Sequence, residues 1–207
     1  APVIGITGSA GKTTTTALVG QMGQKSTRRT WIGGNIGRPL VADLPDISAA
    51  DLVVMELSSF QLELWHDCSP QVAAILNITP NHLDRHKTMM RYAGAKSNIL
   101  RHQKAGDIAV LAADDDGSRE MQATVRGRLR QFSARQPIND GAFVRDGYIW
   151  LANDGNQEQL CAVSVSRLIG SHNVLNVLAA VTLADSTGIP REAIVEGIRM
   201  FAGVPPR

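Results

Sequence analysis

Cysteine is nearly absent from this 207-residue chain: Cys68 and Cys161 lie far apart and form no CxxC pair. That excludes a disulfide framework and a cysteine-rich metal site, and it predicts a reduced, cytoplasmic setting. Charge of either sign is in short supply, with a net of only +2, so nothing in the balance points to a nucleic-acid or membrane-surface partner. Aromatics make up 4% of the chain. The arginine-rich stretch 119–135 (Arg119, Arg126, Arg128, Arg130, Arg135) has too few of them for a base-stacking platform and reads as a solvated face. No apolar run approaches about 18 residues, which argues against a membrane-spanning helix, and no signal-peptide pattern opens the chain. Repeats, low-complexity tracts and heptads are also missing. What remains is 43% hydrophobic, ample for a full core and too much for disorder.

The most informative stretch is Val3-Ile4-Gly5-Ile6-Thr7-Gly8-Ser9-Ala10-Gly11-Lys12-Thr13-Thr14. A β-branched run reads as a buried strand, then come glycines, then a lysine and hydroxyls opening a helix. This order builds a phosphate cradle. Glycines let backbone N–H groups approach phosphate oxygens, and the helix N-terminus adds partial positive charge. Lys12 is placed to reach the β- and γ-phosphates and Thr13 to reach Mg²⁺. Ile6 stands where the eight-residue P-loop has its first glycine, so Gly8-x-x-Gly11-Lys12-Thr13 is a shortened form. The bland alternative is a glycine-rich turn with a surface lysine, which leaves the Lys-Thr pair unexplained.

Apolar runs alternate with helical patterns along the chain, predicting an α/β fold: a P-loop-type, mostly parallel sheet flanked by helices. Strands are expected at Val3–Thr7, 30–32, 52–57 (LVVMEL), 72–78 (VAAILNI) and 108–112, with helices at Lys12–Lys25 and 90–103. The texture changes near 131. Residues 143–145 and 148–151 flank an Asp146-Gly147 turn, a hairpin signal within a small β subregion near 129–165, where 161–165 adds a strand. Helices are expected over 173–187 and 191–201. The chain begins at Ala1 and ends in Gly203-Val204-Pro205-Pro206-Arg207, so the expected organisation is one domain over 1–203, with 204–207 starting a linker.

Three clusters follow predicted strands, where an α/β fold places its ligands. Glu56 ends LVVMEL; it is placed either to hold a nucleotide's metal or to cap the next helix. His82, in Asn77-Ile78-Thr79-Pro80-Asn81-His82-Leu83-Asp84-Arg85-His86, is either a metal ligand or structural. Lys96, in Tyr92-Ala93-Gly94-Ala95-Lys96, reads by spacing alone as an ordinary helix-surface lysine. Asn173 and Asn176 are three apart on the last helical pair's first member, suited to reading a base edge or to capping.

Taken in order, TGSAGKTTT, GGNIG, ELSSFQLE, NITPNHLDRH, YAGAK and GSHNVLN resemble the central, ATP-binding domain of the Mur ligases, the family that adds amino acids in peptidoglycan synthesis. Within the family, GGNIG and ELSSFQLE resemble members that join D-glutamate to UDP-N-acetylmuramoyl-L-alanine. The resemblance implies that Gly8, Ser9, Ala10, Gly11, Lys12, Thr13 and Thr14 hold the ATP phosphates, and that Asn173 and Asn176 contact adenine. It implies Mg²⁺ at two sites, one on Thr13 and Glu56, the other on His82 and a carbamylated Lys96, with Lys12, His82 and Lys96 catalytic. Asn35 and Ser58 match residues along the acceptor's path. It further implies a monomer, an N-terminal UDP-binding domain and a C-terminal domain beyond this chain. Asn81 stands where many relatives carry aspartate, which lowers the charge near the second metal. Other Mur ligases, folylpolyglutamate synthase-like ligases and a non-catalytic P-loop module remain alternatives.

Overall fold

The computed structural model describes residues 1–37 and 39–204, with only the backbone of Leu83. Residues 205–207 of the expected linker lie outside that range. Nine strands form one sheet: β1 Val3–Thr7, β2 Thr30–Gly34, β3 Leu52–Glu56, β4 Val72–Ile75, β5 Ile108–Ala112, β6 Arg128–Ser133, β7 Gly141–Arg145, β8 Tyr148–Asn153 and β9 Asn156–Ala162. Their spatial order is β2-β3-β1-β4-β5-β6-β7-β8-β9. Pairing is parallel from β2 through β7 and antiparallel across β7-β8-β9. The predicted Asp146-Gly147 hairpin is present, and it extends the main sheet. The strand expected at 161–165 is instead the end of β9 followed by a 3₁₀ turn.

Among the described residues the α-helices are α1 Lys12–Lys25, α2 Ser59–Glu63, α3 Leu83–His86, α4 Met89–Ser97, α5 Asp116–Glu120, α6 Ser171–Ser186 and α7 Arg191–Met200. The strands read as unbroken apolar runs because both faces of the sheet are covered. Ile4, Ile6, Val54, Val72, Ala74 and Val110 pack with Leu18, Met22, Leu178, Val181 and Ile194 on the side of α1, α6 and α7. Their strand neighbours Ala73, Ile75, Ala109 and Leu111 pack the other way, with Leu57, Leu62, Tyr92 and Ile99 on the side of α2 and α4. Each fully buried Leu or Ile contributes about 1.5–3 kcal/mol, so the two-sided core fixes the register of the central strands.

The arginine stretch is where the structure departs from the sequence reading. Residues Arg128–Ser133 form β6, and Arg130 is buried at 2% exposure. Its guanidinium donates to Asp140 Oδ1 at 2.7 Å, Asn153 Oδ1 at 2.9 Å and Ser186 Oγ at 2.9 Å, with Asp185 Oδ2 2.7 Å away. Composition hides this strand, because a cation goes inside when its donors are all met. Arg130 thereby ties β6, β8 and α6 together.

Candidate active site

β1 lies between β3 and β4, so the chain turns in opposite directions on its two sides, and the crevice beyond its carboxyl end is the ligand position of such sheets. Glu56 ends the neighbouring β3, and Asn77 follows β4. The loop Gly8–Gly11 carries the chain from β1 into α1, whose positive end faces it. Gly11 has φ +82°, and a Cβ there would come within 2.2 Å of Asn176 Oδ1. Only glycine permits both the turn and this approach by α6.

The loop is braced from its neighbours. Ser9 and Ala10 N–H donate to Asn77 O at 3.0 Å and Asn77 Oδ1 at 2.9 Å. Tyr92 O–H donates to Ser9 Oγ at 3.0 Å, and Ser9 Oγ exchanges two 2.9 Å bonds with the Thr79 backbone. Burial raises the Tyr92 phenol above its ordinary value, against a lowering by Ser9, so it stays a donor. Sequence reasoning misses the bracing roles of Asn77 and Tyr92. Tyr92 is within its reach, since it lies one helical turn before Lys96.

Two cations meet on one carbonyl. Lys12 Nζ and Lys96 Nζ each donate to Gly8 O at 2.9 Å, and Lys96 also reaches Thr7 Oγ1 at 3.3 Å. Lys96 is 1% exposed, with its ammonium 4.7 Å over the Tyr92 ring. Burial, and then the charge of Lys12, push its pKa down to about 7. The helix-surface reading of Lys96 is therefore wrong: tertiary packing turns this side chain into the interior.

On the other side of Lys12, Thr13 O–H donates to Glu56 Oε2 at 2.8 Å and Asn35 Nδ2 donates to Glu56 Oε1 at 2.9 Å. Glu56 is 1% exposed. Asn35 reaches it from the turn after β2, where Gly34 has φ +97° and a Cβ would stand 2.2 Å from Glu56 O. A carboxylate and a hydroxyl in contact beside a phosphate loop form a hard-oxygen pair of the kind Mg²⁺ selects.

Asn176 Nδ2 donates to Asn173 Oδ1 at 3.2 Å, and Asn173 Nδ2 to Ile169 O at 2.8 Å. Asn176 joins Ala10, Gly11, Phe132, His172 and Leu175 around a cleft of about 540 Å³ at the carboxyl ends of β4, β5 and β6. A part-apolar slot with a few amides next to an anion loop suits a nucleoside base.

The structure thus brings Lys12 and Lys96 together on Gly8 O, Thr13 and Asn35 together on Glu56, and Asn176 against Gly11 with Asn173 bonded to Asn176. Thr14 sits half-buried in the first turn of α1. Ser58 and His82 stand outside this network. Ser58 is the N-cap of α2 in a capping box with Gln61. His82 is exposed, has φ +52°, and lies 5.2 Å from the Phe60 ring. Its N–H donates to Asn81 Oδ1 at 2.9 Å. Among the described residues no three His, Cys, Asp or Glu side chains converge as a metal cluster.

A glycine loop opening α1, a hard-oxygen pair, a buried lysine and a base-sized cleft at the carboxyl ends of the strands define a nucleotide-binding α/β class of fold, and the sequence comparisons narrow it. The chain belongs to the Mur ligase family: the pattern of the Mur ligase middle domain matches residues 6–184. It is 45% identical over 206 residues to the UDP-N-acetylmuramoylalanine–D-glutamate ligase of Symbiobacterium thermophilum, covering 99% of this chain and 45% of that protein. It is 41% identical over 203 residues to the enzyme of the same name from Pelotomaculum thermopropionicum, covering 98% of this chain and 45% of that protein. The chain therefore spans less than half the length of these relatives. Among solved structures, MurF from Acinetobacter baumannii superposes with a TM-score of 0.76 at 25% identity, over 98% of this chain and 46% of that one. No helix among the described residues is long and apolar enough to cross a membrane.

Proposed function

We propose that this chain is the ATP- and Mg²⁺-binding domain of a ligase that joins D-glutamate to UDP-N-acetylmuramoyl-L-alanine, with further domains on both sides in the whole protein. The observation that carries the reading is the pair of lysines on Gly8 O. A nucleotide switch or motor needs Lys12 but has no use for a second, buried lysine whose pKa is lowered to about 7. A ligase does. Carbamylation of Lys96, in which its neutral amine bonds to the carbon of CO₂ and releases a proton, turns a cation that repels metal into an anion that binds it.

In this reading the acceptor's carboxylate attacks the γ-phosphate of ATP, the bond to the bridging β–γ oxygen breaks, and ADP leaves an acyl phosphate behind. The neutral amine of D-glutamate then attacks the activated carbonyl, inorganic phosphate leaves, and the amine gives up a proton as the amide forms. Lys12 offsets the repulsion between carboxylate and triphosphate. Thr13 and Glu56 would hold one Mg²⁺, and His82 with a carbamylated Lys96 would hold a second. Ions held by these residues would supply charge neutralisation for phosphoryl transfer. Asn173 and Asn176 orient the adenine, and Asn35 and Ser58 lie along the acceptor's path. Amino-acid choice rests on the further domains. The deciding assay supplies the full-length protein with ATP, Mg²⁺, UDP-N-acetylmuramoyl-L-alanine and a panel of amino acids, with products read by mass spectrometry. A peptide product with D-glutamate alone is expected; product with another amino acid and none with D-glutamate overturns the specificity.

Two further outcomes belong here. Glu56→Gln keeps the shape, because the amide oxygen still accepts from Asn35 while its NH₂ donates to Thr13, but the charge is gone. Mg²⁺-dependent nucleotide binding should fall about tenfold, roughly the 1.4 kcal/mol of one charge-assisted contact, while metal-free binding stays put. His82→Ala should spare nucleotide affinity and slow acyl-phosphate formation. Equal losses of nucleotide affinity in both variants argue against two metal positions.

The second outcome concerns the 207-residue chain by itself. It should fold and bind MgATP weakly, but release no peptide product, since acyl transfer needs three reactants held close with water excluded. Product at the rate of the full-length protein would show that nothing beyond this chain is required.

A further inference from the structure

We propose that His86 is a positioning residue of this site: its buried imidazole, hydrogen-bonded to Ser59 with the Glu63 carboxylate alongside, locks the turn that presents His82. The proposal rests on the reading of His82 as a ligand of the second metal.

His86 is 2% exposed and Ser59 3%. Its Nε2 lies 3.0 Å from Ser59 Oγ and its Nδ1 3.0 Å from Glu63 Oε1. The contact of Nε2 with Ser59 Oγ is the ring's hydrogen bond; Nδ1 stands close to Glu63 Oε1 but outside hydrogen-bond geometry, so Glu63 acts on the ring as a neighbouring carboxylate. Serine, histidine and carboxylate in this order are the parts of a nucleophile triad. Burial rules out that use, because the Ser59 hydroxyl does not reach the surface where a substrate would lie. The arrangement is a clamp. It fastens α3 to α2, the helix that begins just after Glu56.

Backbone and rings carry the clamp to His82. His82 O accepts from the N–H of His86 at 3.0 Å and of Arg85 at 3.2 Å, closing the single turn of α3. Phe60 stacks on the His86 ring at 5.6 Å, with 4° between planes, and stands 5.2 Å from the His82 ring. Tyr92 closes the other side of His86 at 5.2 Å, and Tyr92 is the residue that braces Ser9 of the phosphate loop. Arg85 spans Glu63 at 3.4 Å and lies 4.9 Å over Phe60. His82 itself has the φ of +52° that a non-glycine residue keeps only when its surroundings impose it. A histidine on a strained, exposed turn aims at a metal only if that turn is held, and within this turn the buried polar anchor is His86.

The test uses the full-length protein with Mn²⁺ as the probe metal and a non-hydrolysable ATP analogue. His86→Phe keeps ring and stacking and removes both polar contacts. His86→Gln keeps a polar end within reach of Ser59. Mn²⁺ affinity by electron paramagnetic resonance, thermal midpoint, and kcat and KM for ATP are compared with those of His82→Ala. In His86→Phe the weaker Mn²⁺ site should lose about tenfold or more in affinity, kcat should fall with it, KM for ATP should stay within about twofold, and His86→Gln should recover part of the loss. If His82→Ala weakens that site and His86→Phe does not, the positioning role is overturned. It is overturned equally if His86→Phe and His86→Gln lose ATP affinity, Mn²⁺ affinity and thermal midpoint together, since His86 then only holds the fold. If His82→Ala leaves both Mn²⁺ sites intact, the metal role of His82 falls and this proposal with it. Should His86→Phe fail to fold, Ser59→Ala, which removes the hydrogen bond to Nε2, carries the same expectation.

Discussion

Lys12→Ala in the full-length protein is expected to lower kcat/KM for ATP by about 30- to 1000-fold, the equivalent of roughly 2–4 kcal/mol for a charge-assisted phosphate contact in a partly dry site. The side chain already stands over the loop, donating to Gly8 O at 2.9 Å and Ser9 O at 3.4 Å. Alanine leaves the fold intact, since α1 is held by Leu18, Val19 and Met22 in the core. A second readout follows from the geometry. The charge of Lys12 helps depress the Lys96 pKa, so its removal should move the Lys96 titration upward. A variant with unchanged KM and kcat for ATP would refute the cradle.

Lys96→Ala is expected to remove ligation by about 10²–10³-fold, the scale of losing one electrostatic group from a preorganised site. A short carboxylate in solution should restore part of it, occupying the space of the lost side chain and supplying the charge of the carbamate. The pH dependence distinguishes this lysine from an ordinary one. With a pKa near 7 in place of 10.5, about half the amine is neutral at pH 7, against about one part in 3000 for a free lysine. Carbamylation, followed by carbon-13 bicarbonate NMR, should therefore rise with a midpoint near pH 7. The sign for stability is the same. The folded state binds fewer protons at Lys96 than the unfolded chain, so this group lowers stability at and below pH 7, and the penalty is relieved as pH rises toward 10.5. An active Lys96→Ala enzyme, or no carbamate signal at any pH, would refute the assignment.

How much of this is legible in the sequence varies with the kind of signal. The phosphate loop and α1 are readable at their observed bounds, because Gly-x-x-Gly-Lys-Thr after a β-branched run has few other uses. The strands expected at 52–57 and 72–78 are slightly long, since apolar character continues past the last ladder pair. The helix expected to reach 103 stops, as α4, at Ser97, where Asn98 turns to the carbonyl of Leu62. β6 is hidden altogether under its arginines. The one-turn helix α3, which mounts His82 and His86, gives no periodic signal in so short a span.

The sequence by itself determined the α/β class, the position of the anion loop and the two-sided core, because glycine placement, β-branched runs and helical spacing act locally or through burial alone. Only the tertiary structure decided what the isolated polar residues do. Lys96 looks like any helix lysine until β1 and α4 close around it; then burial and the charge of Lys12 lower its pKa and set it on the same carbonyl as Lys12. Arg130 looks solvated until Asp140 and Asp185 arrive from distant segments. His86 is one more histidine until α2 brings Ser59 and Glu63 to both of its nitrogens. Burial, partner and charge of such groups come from contacts between residues far apart in the chain, and those contacts exist only after folding.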